Sequence, residues 1–497
     1  MSAHEGPAPS LWDSLKEAVR GTEQDFTEAP VGRAILLLSV PMVLEMLMES
    51  VFALVDVFFV SRLGSEAIAT VGLTESILAL LYALAMGLSI GATAMIARRT
   101  GEKDPDAAAR VAVQTIALGV LVSVPIAVAG VVFAQPLLAL LGGSRWVVEE
   151  GYRYTQILLG GNVIILLLFL INAIFRGVGD AAVSMRVLGL ANALNILLCP
   201  CLVLGLGPFP ELGVVGAALA TTIGRGVGVC YQFYRLFRGT SRVSIRREHL
   251  HFEPATLLAM LRLSGSAVFQ TMLGTASWTV LVRIVAAAGS AAVAGYTIGM
   301  RIILFALLPS WGMSNAAATL VGQNLGARRP ERAEQAVWRA GLYNMVFLGS
   351  VGLGFILFAE PLISTFTQDP EVAAIAVRCL RVVSAGFLFY AYGMVLTQAL
   401  NGAGDTTTPM LLNLLCFWVL ELPARLAADR APEAGAHGGL RLHRRRLLRL
   451  RPAGRLGVPP RTLETAPRVR PAALRACELG HIPRWTDDGA GPRPQAG

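Results

Sequence analysis

The chain has 497 residues, of which 54% are hydrophobic and only 15% are charged, and its mean hydropathy is +0.60. Soluble domains carry about one quarter charged residues, so this composition excludes an ordinary soluble protein and indicates one that crosses a lipid bilayer many times. The formal net charge of +9 predicts no nucleic-acid partner, because residues 424–497 hold 15 Arg against 6 acidic residues and the rest of the chain is neutral.

Three acidic residues lie in the first apolar segment, residues 34–61: Glu45, Glu49 and Asp56. A helix of this length is roughly 40 Å long and can cross a bilayer. The spacings place the three carboxylates on one helix face, which must point into protein or water because a charge facing lipid is unfavourable. The pattern predicts an ion or substrate pathway, while a structural hydrogen-bonding role stays open for Glu45.

Ten further apolar segments follow, and the predicted fold class is therefore an all-α polytopic membrane protein. They lie at 66–97, 109–133, 151–175, 181–205, 213–237, 255–287, 291–322, 334–358, 371–400 and 406–423, and the last of them is short. Arginine-rich loops follow the second, sixth and eighth segments, which by the positive-inside rule places the polar N-terminal segment 1–33 in the cytoplasm. That segment lacks a signal-peptide pattern, so a multi-pass protein of the inner cell membrane is expected.

An internal repeat with a constant offset in the numbering organises these segments. Residues 87–101 (GLSIGATAMIARRTG) match residues 312–326 (GMSNAAATLVGQNLG), and other short motifs match in the same register. We call the shift that takes Gly87 to Gly312 the repeat offset. An even number of spans in each unit gives both units the same orientation. The repeat predicts a plan of two parallel six-helix lobes, of which 34–237 holds six segments and 255–423 only five, so the second lobe is incomplete. A cytoplasmic linker at 238–254 joins the lobes, and a substrate cavity is expected between them.

The acidic residues of the first segment have no acidic counterparts in the second lobe. The corresponding residues at the repeat offset are Gln270, Gly274 and Leu281. This asymmetry predicts that coupling-ion chemistry resides in the first lobe.

Polar side chains in the fifth and sixth segments are further candidates. Asn192 and Asn195 precede Pro200, which frees a backbone carbonyl, and Thr221 lies in the next segment. Each could line an ion or substrate site, or could instead bond a neighbouring helix or its own backbone.

Two arginines, Arg225 and Arg301, lie within apolar segments, and each is expected to need an acidic or carbonyl partner. Glu75 is the predicted partner of Arg301, although the arginine could instead extend to the membrane surface. Phosphate-binding loops, metal-ligand clusters and nucleophile motifs are not apparent in the sequence. We therefore expect a transporter and not an enzyme, with no cofactor and no bound metal, driven by an ion gradient.

The motifs resemble those of the multidrug and toxic compound extrusion (MATE) family, most closely its DinF-type branch. The resemblance covers about residues 34–423 and rests on VDVFFVSRLGSEAIATVGL at 55–73, LVGQNLGA at 320–327, and the FRGVGD and LNGAGD turns. It implies a monomeric 12-helix antiporter of organic cations or related amphiphiles, coupled to protons or sodium ions.

The resemblance also implies site residues. Asp56 occupies the position of the branch's first-helix aspartate, Asn195 and Thr221 those of polar partners in helices 5 and 6, and Arg301 that of an arginine in helix 8. One residue departs from the pattern: Cys199 stands where archaeal-type members carry an aspartate. A neutral thiol is a poor ligand for a hard cation, which favours proton over sodium coupling.

Three alternatives accompany the antiporter hypothesis. A flippase for lipid-linked intermediates shares the wider superfamily architecture, but a pyrophosphate headgroup would require more cationic residues in the cavity. A channel or a purely structural membrane protein is the non-transport alternative, which the duplicated lobes and the one-sided acidic residues disfavour. The third alternative is an inactive product of a frameshifted gene, because the chain changes character from about residue 424. The counterpart of segment 213–237 should lie near 438–462, yet that window holds eight arginines and cannot be a span.

We predict a frameshift near codons 420–425, leaving the eleventh span damaged, the twelfth absent and 424–497 a non-family, disordered tail. The residues before that point use Arg over Lys by 25 to 2, as expected of a GC-rich gene, and shifted frames of such genes read as Arg, Pro, Ala and Gly. Translating the other two frames of the DNA should reveal apolar segments that complete spans 11 and 12. Their absence from both frames would refute the frameshift and favour a basic tail that binds anionic lipid.

Overall fold

The computed structural model describes residues 10–22, 24–239, 242–287 and 289–421, and their regular structure is helical throughout. A short amphipathic helix, α1 (Leu11–Arg20), precedes the first lobe. The first lobe contains α2 (Val31–Val60), α3 (Ser65–Gly101), α4 (Pro105–Leu140), α5 (Tyr152–Gly160), α6 (Asn162–Val178), α7 (Ala181–Leu204) and α8 (Gly213–Phe237). The second lobe contains α9 (Pro254–Ala287), α10 (Ser290–Gly326), α11 (Pro330–Leu357), α12 (Ala359–Ser364), α13 (Pro370–Ala385), α14 (Phe387–Ala403) and α15 (Thr407–Asn413).

Nine helical stretches in the described residues are long and apolar enough to cross a membrane, and the bent pair α13–α14 makes a tenth. The sequence prediction of an all-α membrane protein is therefore confirmed. The predicted eleventh span is not one continuous α-helix. Helix α15 ends at Asn413, and the next stretch, Leu414–Glu421, is π-helical and belongs to a separate unit. The predicted tail, 424–497, lies outside the described residues.

The sequence repeat reappears as repeated backbone geometry. Lys103 and Arg328, which are related by the repeat offset, both have positive φ angles, 59° and 58°. Gly179 and Gly404, related in the same way, both adopt the left-handed conformation that ends a helix (φ 87° and 89°). Even the break between α5 and α6 at Gly161 recurs at Gly386, where α13 and α14 meet at 56°.

The lobes contact each other most closely where α3 and α10 end. A Cβ atom added to Gly101 would collide with the backbone carbonyl of Gln323, and one added to Gly326 would collide with that of Arg98. These two contacts are related by the repeat offset, so they form one reciprocal crossing. We call this side of the bundle, which carries residues 98–105, 238–239, 242–253 and 326–330, the linker end.

Close packing between the lobes continues from the linker end to the middle of the bundle. A Cβ on Gly312 of α10 would lie 2.6 Å from the carbonyl oxygen of Met42, and Gly87 and Gly91 of α3 abut α9 in the same way. At the opposite side, the far end, an added Cβ on Gly274 or Gly289 would meet no described heavy atom within 4 Å. The lobes are therefore closed against each other at the linker end.

The described part of the second lobe lacks a counterpart of α8. In the first lobe α8 packs on α5, α6 and α7. Ile165 of α6 is only 4% exposed, whereas its repeat partner, Tyr390 of α14, is 48% exposed. The second lobe is thus incomplete within the described residues, and the window 438–462 lies outside them.

We predict that Gly326→Val destabilises the protein by about 1–3 kcal/mol, because the new side chain must displace backbone at the crossing. The apparent melting temperature of the purified protein in detergent should fall. Gly354→Val is the matched control, since Gly354 lies in a helix and an added Cβ would meet no described atom within 4 Å. Wild-type stability of Gly326→Val would contradict the proposed contact.

Candidate functional site

Glu45 lies at the middle of α2 and is only 2% exposed. Its Oε1 atom accepts hydrogen bonds from Arg176 Nη1 at 2.9 Å and from Asn172 Nδ2 at 3.1 Å. Both donors belong to α6, where their spacing of four residues places them on the same face. The arginine neutralises a carboxylate that would otherwise be an unpaired buried charge.

A chain of side-chain amides extends this ion pair to α8. Gln232 Nε2 donates to Asn172 Oδ1 at 2.6 Å and to the Leu168 carbonyl at 3.2 Å. The other carboxylate oxygen, Glu45 Oε2, is buried and has no hydrogen-bond partner among the described residues.

A second ion pair lies one helical turn along α2. Glu49 Oε1 accepts from Arg225 Nη2 at 3.1 Å, and Arg225 Nη1 donates to the Tyr82 hydroxyl at 2.8 Å. The Arg225 guanidinium is buried, with its central carbon 4.6 Å from the centroid of the Phe52 ring, so cation–π attraction also holds it. The Glu49 side chain is 31% exposed, whereas that of Glu45 is only 3% exposed. The acidic partner predicted for Arg225 is therefore found, on α2.

The polar residues predicted in spans 5 and 6 lie together on α7 and α8. Asn195 Nδ2 donates to Thr221 Oγ1 at 3.2 Å, and both residues are buried. Asn192 Nδ2 donates to the Met48 carbonyl at 2.7 Å, which ties α7 to α2 between Glu45 and Glu49. These bonds connect helices of the first lobe around the two ion pairs.

Asp56 lies in α2, two helical turns beyond Glu49, but its side chain falls outside the described residues. Its predicted ion-coupling role stays a prediction.

Arg301 and Glu75, which the sequence analysis pairs, both have exposed side chains. Arg301 lines a cavity of about 460 Å³ with Ala294, Thr297, Ile298 and Phe366. The pairing of Arg301 with Glu75 stays a prediction.

Sequence reasoning missed Arg176, Asn172 and Gln232 as members of the site. The repeat carried a signal for the first of them. Glu45 becomes Gln270 in the second lobe, and Arg176 becomes Asn401, so both charges are lost together. In the second lobe Asn401 donates to Gln398 at 2.8 Å and Gln398 to Asn315 at 2.7 Å, a chain without charge.

The model of the MatE family matches residues 41–201 and 266–426. The repeat offset takes residue 41 to 266 and residue 201 to 426, so the two matches confirm the internal repeat. Residues from 427 onward lie outside both matches. A similar curated protein is the "Probable multidrug resistance protein NorM" of Thermotoga maritima, 27% identical over 82% of this chain and 88% of that protein. The "FAD transporter" of Shewanella oneidensis is 26% identical over 80% of this chain and 87% of that one.

Solved structures show the same similarity. One is described as the outward-facing conformation of a multidrug resistance MATE family transporter, with a TM-score of 0.75 and 28% identity over 80% of this chain and 88% of that one. Another is described as a MOP superfamily transporter from Pyrococcus furiosus. It also has a TM-score of 0.75 and 28% identity, over 81% of this chain and 89% of that one.

We predict that Glu45 and Arg176 act as one unit in stability. Arg176→Asn alone should cost about 3–5 kcal/mol by leaving a buried carboxylate unpaired, and Glu45→Gln alone should also destabilise. The double variant reproduces the uncharged pair of residues in the second lobe and should be more stable than the sum of the two losses. Apparent unfolding free energies in detergent measure this cycle, and strict additivity would contradict the coupling.

Proposed function

Since the chain belongs to the MatE family, we propose that it exports organic cations or related amphiphilic compounds in exchange for protons that titrate carboxylates of the first lobe. The observation that carries this proposal is the pair of carboxylates on α2, Glu45 and Glu49, each bound to an arginine inside the first lobe. The positions that correspond in the second lobe are uncharged. Asp56, farther along the same helix, completes the proposed coupling set.

The two ion pairs suggest how protons and substrate exclude each other. When Glu49 is ionised, its charge and that of Arg225 cancel, so the pair carries no net charge that would repel a cationic compound. When Glu49 takes up a proton, Arg225 keeps its charge and repels a cation. Binding of a proton and binding of a cationic substrate therefore oppose each other, which is the requirement for exchange.

The donor set supports protons over sodium ions. A sodium site requires several oxygen ligands, and Cys199, fully buried on α7, contributes a thiol in place of a carboxylate. The nearby amide of Asn195 and hydroxyl of Thr221 bond each other. We further propose that the linker end faces the cytoplasm, where its arginine-rich loops belong by the positive-inside rule.

A flippase for lipid-linked intermediates is the second candidate, and the exposed Arg301 beside its cavity is the observation that favours it. It has less support, because Arg176 and Arg225 are already neutralised by Glu45 and Glu49. Export of a fluorescent organic cation by the purified chain in proteoliposomes would exclude both the flippase and the inactive-product alternatives as its main role.

We predict that Asp56→Asn abolishes gradient-driven export, and that Glu49→Gln lowers it at least about tenfold, while both proteins still insert and fold. An amide keeps the size of the side chain but cannot exchange a proton. The measurement is efflux of a fluorescent organic cation from vesicles under a proton gradient and, separately, a sodium gradient. Glu360→Gln, which removes an exposed carboxylate of the second lobe, is the control. Wild-type rates in Asp56→Asn, or export driven by sodium alone, would contradict the proposed coupling.

A further inference from the structure

A short segment before α2 runs across the linker end and contacts both lobes. We call residues 24–30 the strap. On the first-lobe side, Lys103 Nζ lies 3.1 Å from a carboxylate oxygen of Asp25 and 3.1 Å from one of Glu28. On the second-lobe side, Arg329 donates to the Thr27 carbonyl at 2.7 Å.

Further arginines hold the backbone of the strap. Arg332 of α11 donates to the carbonyls of Phe26 and Ala29. Arg242 of the linker donates to the Gln24 carbonyl at 2.7 Å and lies over the Phe26 ring, with its guanidinium carbon 4.8 Å from the centroid. The strap is thus bound by the first lobe, the linker and the second lobe together.

The strap also covers the glycine crossing. Thr27 shares a cavity of about 380 Å³ with Gly101, Gly326 and the residues that follow each of them. Phe26 is fully buried, and its ring lies where a Cβ on Gly179 would be. Burial acts to raise the pKa of Asp25, but hydrogen bonds from the Thr27 hydroxyl and amide and from Lys103 outweigh it and lower that pKa, so Asp25 is charged at neutral pH.

We propose that the strap is a latch that stabilises the closed linker end and so sets the balance between the two access states of the transporter. If the linker end opens, Lys103 and Arg329 move apart, and the strap cannot keep both contacts. Because the strap leads directly into α2, it also connects this balance to the helix that carries Glu45 and Glu49. The proposal rests on the proposed transport function only in requiring two access states.

The test measures opening directly, without transport. The six native cysteines are first replaced, and Thr319→Cys is then introduced so that its rate of chemical modification measures opening of the linker end. Thr319 is fully buried on α10. It lies midway between Gly312 and Gly326, two helical turns from each, and therefore on the face that meets the first lobe. Spin labels at Leu140→Cys and Thr365→Cys, an exposed pair related by the repeat offset, report the far end.

The latch variant is Asp25→Asn with Glu28→Gln, which removes both charges and keeps the side-chain sizes. Modification of Thr319→Cys by a membrane-impermeant maleimide should become about two- to tenfold faster, and the distance between the far-end labels should gain a shorter component. Phe26→Ala should act in the same direction. The control is Glu149→Gln with Glu360→Gln, which removes two exposed carboxylates away from the strap.

The outcomes separate cleanly. Faster labelling in the latch variant, with none in the control, supports the latch even if no transported compound is found. Equal labelling and unchanged distances in the latch variant and in Phe26→Ala would overturn it. An equal rise in the control would also overturn it, since the effect would then follow from general loss of charge.

Discussion

A carboxylate in the middle of a membrane helix must find its counter-charge inside the bundle, and much of the first lobe follows from that constraint. Glu45 cannot face lipid, so α2 is oriented toward α6, where Arg176 and Asn172 bind it. Glu49 requires a second cation, which brings α8 against α2 through Arg225. The amide of Gln232 then joins α8 to α6. Three helices are held in register by two charge pairs and the amides around them.

The second lobe has the same backbone plan without that constraint. Gln270 and Asn401 stand where the first pair would be, and the polar chain of Asn315, Gln398 and Asn401 needs no counter-ion. Among its described residues, such a lobe can rearrange these buried polar side chains without breaking a buried ion pair, since its ion pair Arg381–Glu360 is exposed. The charged lobe is more strongly restricted to one arrangement, because its buried polar network must stay satisfied.

Sequence reasoning reached the fold and part of the site, and the limits have physical causes. The lengths of the apolar segments and the constant repeat offset were sufficient to predict the membrane spans and the internal repeat, because hydrophobicity and helical period are local properties of the sequence. The partner of Arg301 stays a prediction, since its surroundings depend on how far the lobes are separated, and no local sequence pattern records that separation. Arg176 was visible only as part of a turn motif, although the paired loss of charge at Gln270 and Asn401 pointed to Glu45. Contacts of the strap were not predictable, because most of them are made to backbone carbonyls that every residue has.

The reciprocal crossing of α3 and α10 has a consequence for the origin of the chain. Gly101 approaches the second copy and Gly326 approaches the first, through two contacts that the repeat offset relates to each other. In an ancestral homodimer of a single six-helix unit, one glycine would have made both contacts, so any substitution there would have been present on both sides of the dimer axis. A single chain with two copies of the unit has no such symmetry requirement. It can keep the crossing in both copies while Glu45, Glu49 and Asp56 occur in one half only.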